Sequence, residues 1–237
     1  MAALATLLSG AWWMLRDGAR SIGTWEDAVD HGARGRLPFP RHASRWLVGP
    51  LSAIALMYAA LFSVFSHAHA YLESGGKLDA SSVSFLLVVF GIGGVFGAFA
   101  LTRWRHDLAP TVMSLHPMAL AATYLLLFLF GRTPGMASFA VIFLWGAVHT
   151  AGMLMTRPLL SPLAHRRRDV AAALHITAAA VGAPAGVAAA NCLGRVLGVE
   201  AFVICGSLLS LAAFVVVSTQ LAEPLLMSAI VAKSRTE

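Results

Sequence analysis

The stretch WLVGPLSAIALMYAALFSVFSHAHAY, residues 46–71, is a long apolar run without a Lys, Arg, Asp or Glu. About 20 apolar residues in an α-helix cross a hydrocarbon core of about 30 Å. Backbone polar groups in lipid must bond within their own segment, so such runs form helices. The sequence therefore predicts an all-α polytopic membrane protein with six transmembrane helices at 46–71, 81–102, 111–131, 138–160, 169–193 and 201–222.

The composition supports a membrane class and argues against a soluble one. Hydrophobic residues make up 58% of the 237 residues and charged residues only 12%, whereas a soluble domain carries about 25% charged residues. The net charge is +6. The basic residues lie in short breaks between apolar runs and form no basic face on a soluble domain. The partner that the composition predicts is therefore the lipid bilayer, with no nucleic acid.

The basic residues also predict an orientation. If the sides alternate from a cytoplasmic start, only Lys77, Arg132 and Arg195 fall on the opposite side, which leaves 14 of the 17 Lys and Arg in cytoplasmic segments. Cytoplasmic loops of membrane proteins carry such an excess. We expect both ends of the six-span body to be cytoplasmic.

Three regions follow from this pattern. Residues 1–45 hold a short apolar segment, predicted to be an interfacial or partial helix, and then a basic cytoplasmic linker with six arginines. Residues 46–222 form the six-helix transmembrane domain. Residues 223–237 form a cytoplasmic tail.

Small residues recur on the predicted spans 2 and 5. Gly93 and Gly97 lie four apart, and Gly182 and Gly186 belong to a series with a small residue at every fourth position. Small residues let helix backbones approach closely in lipid. Pro184 lies between the last two glycines and can bend the helix. Two interpretations stay open, tight packing alone or a hinge for a moving part.

Histidines are the ionisable candidates at membrane depth, because no Asp or Glu lies in the interior of a span. His149 with Thr150 in span 4 is the deepest polar pair, and His175 lies about two turns into span 5. A buried ionisable group in lipid suggests a function, but a neutral histidine can also simply bond to a neighbouring helix.

A metal site is not predicted. His67 and His69 lie two apart near the end of span 1, and residues two apart on a helix point to nearly opposite sides. No sequence motif for a metal, a nucleotide or a catalytic nucleophile is present. The sequence thus predicts no cofactor and no catalytic residue.

Four stretches resemble helices of the major facilitator superfamily (MFS) of transporters, most closely the bacterial drug and sugar efflux type. AYLESGG (70–76) followed by SSVSFLLVVFGIGGVFGAF (81–99) is similar to the seventh and eighth helices of that family. FAVIFLWGAVHTAGMLMTRPLLSPLA (139–164) resembles the tenth helix, and AAALHITAAAVGAPAGVAAANCLG (171–194) the eleventh. The family's cytoplasmic loop motif is matched in part by Arg103 and, one place late, by Asp107.

The resemblance implies the carboxy-terminal six-helix half of a twelve-helix transporter in the bacterial inner membrane. It implies efflux of a small drug-like or sugar-like solute by alternating access, with proton coupling left open. Spans 1, 2, 4 and 5 would face the central cavity, whereas spans 3 and 6, with His116, would be peripheral. The cavity candidates that follow from this are Tyr58, His67, His149, Thr150, His175 and Asn191.

Three classes of function remain open. A transporter would need a second six-helix half or a second copy of the chain to complete its cavity. A truncated, non-transporting fragment or a membrane interaction subunit would also explain six spans without embedded carboxylates. A membrane enzyme is least supported, because the histidines are scattered over several spans and both leaflets.

Overall fold

The described part of the chain consists entirely of helices and their connections. The computed structural model describes residues 43–74, 78–160 and 168–220, apart from the side chains of 43–46, 104–112, 158 and 219–220. All of these residues except Ala43 belong to one compact unit, Ser44–Glu237. The helices are Ala43–Phe65, Ala68–Glu73, Ala80–Phe130, Met136–Met155, Arg168–Leu197 and Glu200–Gln220, with a 3-10 helix at Arg157–Leu160.

Six helical segments are long and apolar enough to cross a membrane. This confirms the all-α class with six membrane-spanning helices, and the chain is an integral membrane protein. In chain order, spans 1 to 6 are Leu47–Phe65, Ala80–Arg103, Met113–Phe130, Met136–Met155, Arg168–Leu197 and Glu200–Ser218.

Span 1 ends earlier than the sequence predicts. Its helix stops at Phe65, and a separate helix starts at Ala68, so His67 lies in a break. The imidazole Nδ1 of His67 lies 2.9 Å from the carbonyl oxygen of Ser63, the acceptor that the backbone N–H of His67 would use in a continuing helix. That N–H bonds instead to the carbonyl oxygen of Val64 at 3.1 Å. The side chain thus takes the place of a helical hydrogen bond and ends the span.

Spans 2 and 3 belong to one helical element, Ala80–Phe130, of 51 residues. A straight helix of that length would measure about 76 Å. However, Gly97 packs on Ala147 of span 4, and Nε2 of His116 donates to the carbonyl oxygen of Val148 in the same span at 2.9 Å. Two points 19 positions apart on the element thus reach neighbouring residues of span 4. The element therefore reverses its direction between the two spans, although its backbone stays helical there.

The start of this element is fixed by a capping aspartate. The carboxylate of Asp79 accepts hydrogen bonds from the hydroxyl of Ser81 and from the backbone N–H of Ser82, the latter at 3.4 Å. These hydrogen bonds lower the pKa of Asp79 to about 2, and the bond from Ser81 contributes most. Such a cap satisfies backbone donors that the first helical turn leaves without partners.

Spans 2 and 4 touch backbone to backbone and run parallel. A Cβ atom added to Gly93 would overlap the carbonyl group of Phe143, and one added to Gly97 would overlap the backbone of Ala147. The second contact lies four positions after the first in both helices, so the two spans run in the same direction. The packing interpretation of these two glycines is consistent with this contact.

Spans 1 and 5 form an equivalent pair. A Cβ atom on Gly182 would overlap the backbone of Ala55, and one on Gly186 would overlap the backbone of Ala59. These two spans are therefore also parallel and equally close. Pro184 is exposed, and its role as a hinge remains a prediction.

The two glycine contacts are related by an internal repeat. Gly182 and Gly186 of span 5 lie 89 positions after Gly93 and Gly97 of span 2. The residues contacted in span 4, Phe143 and Ala147, lie 88 positions after those contacted in span 1, Ala55 and Ala59. Spans 1 and 2 therefore correspond to spans 4 and 5 in this contact, and spans that correspond run in opposite directions. Inverted repeats of this kind occur in many transporter folds.

The centre of the unit is filled where spans 1, 3 and 6 meet. Tyr124 of span 3 is fully buried, and its hydroxyl donates to the carbonyl oxygen of Ala60 in span 1 at 2.9 Å. The ring of Tyr124 and the side chain of Val64 both lie against Gly206 of span 6. These contacts hold spans 1, 3 and 6 together.

A polar cluster joins the connections at the predicted outer ends of the spans. Arg132 and Glu200 form an ion pair with an N···O distance of 2.8 Å, and the guanidinium lies 4.9 Å from the centre of the Tyr71 ring. The Tyr71 hydroxyl donates to the carbonyl oxygen of Leu127 at 3.2 Å. Burial raises the pKa of Tyr71, so this phenol stays a hydrogen-bond donor.

Candidate functional site

A groove of about 710 Å³ lies along spans 1 and 5 and the short 3-10 helix. This volume is within the range of small-molecule sites, which are mostly apolar with a few polar groups. The groove is open along one side. Its lining residues are Tyr58, Phe62, Arg157, Leu160, Arg168, His175, Ile176 and the alanines 171, 172, 179, 180 and 183.

His175 is the polar group that span 5 contributes near the middle of this lining. Its Nε2 atom lies 2.9 Å from the Thr156 hydroxyl oxygen, and that hydroxyl donates its proton to the carbonyl oxygen of Met153 at 2.8 Å. With the hydroxyl proton used, the hydroxyl oxygen accepts from Nε2–H of His175. The neutral imidazole is therefore the Nε2–H tautomer, and its Nδ1 atom is an acceptor.

Aromatic rings of span 1 form the opposite part of the lining. The rings of Tyr58 and Phe62 are parallel to within 8°, with centres 6.1 Å apart. The edge of His175 meets the Tyr58 ring at 5.9 Å. Two of the predicted cavity residues, Tyr58 and His175, thus come together in one groove.

His67 and Asn191 form a second polar pair, which does not line this groove. Nε2 of His67 lies 2.9 Å from the amide oxygen of Asn191, so the pair links the end of span 1 to span 5. The imidazole also stacks on the ring of Phe202 in span 6, with centres 4.0 Å apart. This arrangement holds three spans together at the predicted outer side, and a contact of either side chain with solute remains a prediction.

His149 is placed in the interior and not in the groove. It is 4% exposed and is surrounded by the rings of Phe62, Phe65, Phe90 and Trp145 at centre distances of 5.2 to 6.4 Å. Within the described residues its Nδ1 atom has no hydrogen-bond partner. Phe62 connects the two places, because it also lines the groove.

The remaining predicted residues lie at helix contacts or ends. The hydroxyl of Thr150 faces Gly94 between spans 4 and 2. His116, which the resemblance places at the periphery, is buried against span 4. Arg103 is exposed at the end of span 2, and the side chain of Asp107 lies outside the described residues.

Two arginines of the groove, Arg157 and Arg168, were missed as site residues, because their position between spans suggests only an orientation signal. A usable pattern was present in the sequence. Arg168 and His175 are seven positions apart, so they lie on the same face of the span 5 helix. Residues 172, 179 and 183 continue that face and also line the groove.

The part of the chain that the structure describes contains no cluster of metal-binding side chains. No three His, Cys, Asp or Glu side chains come together there in a way that could hold one. The polar groups of the groove can instead bind a solute by hydrogen bonds and positive charge.

Comparisons with known proteins point to one class of relative. The chain is 30% identical over 134 residues to a probable sugar efflux transporter of Haemophilus influenzae strain PittGG, which is 55% of this chain and 33% of that protein. It is 28% identical over 121 residues to a probable sugar efflux transporter of Mannheimia succiniciproducens, 51% of this chain and 30% of that protein. The chain thus spans about a third of the length of these relatives. No family model and no solved structure matches it.

Proposed function

We propose that this chain forms one half of a facilitator-type transporter that exports a small sugar-like solute by alternating access. The observation that carries the proposal is the groove on spans 1 and 5, which brings Tyr58 and His175 together at membrane depth and is open along one side. The similarity to probable sugar efflux transporters supports the class of solute.

The exposed face of span 5 supports a role as a cavity wall. Only 22% of the apolar 18-residue stretch that marks this span is buried, the lowest share among the six described spans. Six of its exposed residues are alanines, whose small side chains let a second helical layer approach closely, and Ile176 is 65% exposed. We propose that the second layer is another six-helix half, on the same or another polypeptide or in a second copy of this chain.

The same proposal includes location and coupling. The bacterial relatives favour a location in the bacterial inner membrane, and the charge asymmetry favours both ends of the six-span body in the cytoplasm. The two acidic residues of the spans, Asp169 and Glu200, lie in the first turn of their helices, where the helix dipole favours negative charge. If transport is coupled to protons, a histidine such as His175 is the candidate carrier.

Reconstituted flux tests the function. Purified full-length chain is inserted into liposomes loaded with para-nitrophenyl β-D-glucoside, at a protein-to-lipid ratio that gives several copies per vesicle. We expect release of the probe well above that of protein-free liposomes, and saturation as the probe concentration rises.

The alternative is a non-transporting fragment or a membrane interaction subunit. Folded, inserted protein that released neither this probe nor its acidic analogue would support the alternative and contradict transport.

A further inference from the structure

We infer that the groove on spans 1 and 5 selects a hydroxylated organic anion, such as a sugar acid, over a neutral sugar. This inference rests on the proposed function and names the solute class for the same groove. The names of these relatives give a sugar but no charge.

The first step is the charge of the groove. Arg157 and Arg168 both line it, and none of its described lining residues is an Asp or a Glu. Among the described residues, the two side-chain pairs of opposite charge type are His69 with Glu73 and Arg132 with Glu200, and neither includes a groove arginine. A guanidinium presents donors in a fork that matches a carboxylate or phosphate.

The second step is the hydrogen-bonding pattern next to these charges. In the neutral Nε2–H tautomer fixed by Thr156, Nδ1 of His175 accepts a hydrogen bond and does not donate one. An acceptor suits a hydroxyl of the solute. The Tyr58 phenol of the same lining can donate or accept, so the groove offers partners for hydroxyl groups as well as for a negative charge.

The third step is shape. The parallel rings of Tyr58 and Phe62 give the groove a flat apolar part, and five alanines of span 5 contribute only methyl groups to its lining beside His175 and Ile176. A solute with a compact ring, several hydroxyls and one negative group matches all three features. A neutral sugar would leave both guanidinium groups without a counter-charge.

A matched pair of probes tests the inference. Para-nitrophenyl β-D-glucuronide and para-nitrophenyl β-D-glucoside differ only in a carboxylate in place of a hydroxymethyl group. Binding of each to the full chain in lipid nanodiscs is measured by equilibrium dialysis. We expect the glucuronide to bind about tenfold tighter or more, the scale of one charge-assisted contact.

Variants locate the preference in the groove. In the double variant R157Q/R168Q we expect the two probes to bind with similar affinity. R103Q is the control, because Arg103 is exposed at the end of span 2 and does not line the groove. It should keep the full preference.

A second readout does not depend on the variants' folding. In the wild-type chain, raising NaCl from about 0.05 M to about 0.5 M should reduce the preference, because salt screens exposed charges. Equal affinities for the two probes would overturn the inference and leave the proposed function standing. A preference that survives R157Q/R168Q in folded protein would also overturn it, and no binding of either probe would contradict both.

Discussion

The variant Gly186→Ala is expected to destabilise the six-span body by about 1–3 kcal/mol or more, the cost of overpacking a closely packed interior. The added methyl group would overlap the backbone of Ala59 in span 1. A backbone atom cannot rotate away as a flexible side chain can, so the two helices must separate. In lipid this also removes the van der Waals contact that holds them together. The measurement is the fraction of monodisperse protein left in mild detergent after heating to a series of temperatures.

Gly91→Ala is the matched control for this prediction. Gly91 is also a glycine within a membrane-spanning helix, but a Cβ atom placed on it would have no described atom within 4 Å apart from its chain neighbours and the nearby backbone of its own helix. The control should be as stable as the wild type. Equal stability of both variants would show that spans 1 and 5 do not meet at Gly186 as described.

The variant His175→Phe is expected to reduce solute flux about tenfold, with insertion and folding unchanged. Phenylalanine keeps a ring that can meet the Tyr58 ring edge-on but cannot donate to Thr156 or accept from a solute. One lost hydrogen bond of about 1.4 kcal/mol corresponds to this factor of ten. Initial rates of probe release from liposomes, normalised to inserted protein, measure the effect.

His69→Phe and Thr156→Val serve as controls for this result. His69 is exposed outside the spans, where it pairs with Glu73 at 3.4 Å, so its replacement should leave flux unchanged. Because Thr156 orients His175, Thr156→Val should reduce flux on its own but add little in the double variant with His175→Phe. Unchanged flux in His175→Phe would remove this residue from the site.

Features that depend on one segment at a time were predictable from the sequence. The six spans follow from local hydropathy, and the packing glycines 93, 97, 182 and 186 follow from their spacing of four. In each case the property belongs to one helix, since lipid selects apolar length and close packing selects small residues.

Features that depend on contacts between distant segments were not predictable in this way. The break at His67 arises because its own side chain takes the Ser63 carbonyl, which hydropathy does not report. The position of His149 deep in span 4, together with the resemblance, suggests a cavity residue. In the structure, four aromatic rings from three spans enclose it. In the sequence, Arg157 resembles every other basic residue between spans, which indicates only orientation. Its second role follows from its position in the groove.

Cysteine accessibility tests whether the groove face of span 5 lines an aqueous cavity. A cysteine introduced at Ala180, which lines the groove, is compared with one at Leu125 of span 3, which is 58% exposed. Both lie 12 positions after the first residue of their spans, about 18 Å along the helix. The background carries Cys192→Ser and Cys205→Ser, because both native cysteines are free.

The measurement is the rate at which a charged, membrane-impermeant methanethiosulfonate reagent labels each cysteine in native membranes. We expect rapid labelling of Ala180→Cys, slowed by para-nitrophenyl β-D-glucuronide, and almost no labelling of Leu125→Cys, which faces lipid. Labelling of Ala180→Cys as slow as that of Leu125→Cys would show that this face of span 5 also faces lipid and lines no cavity.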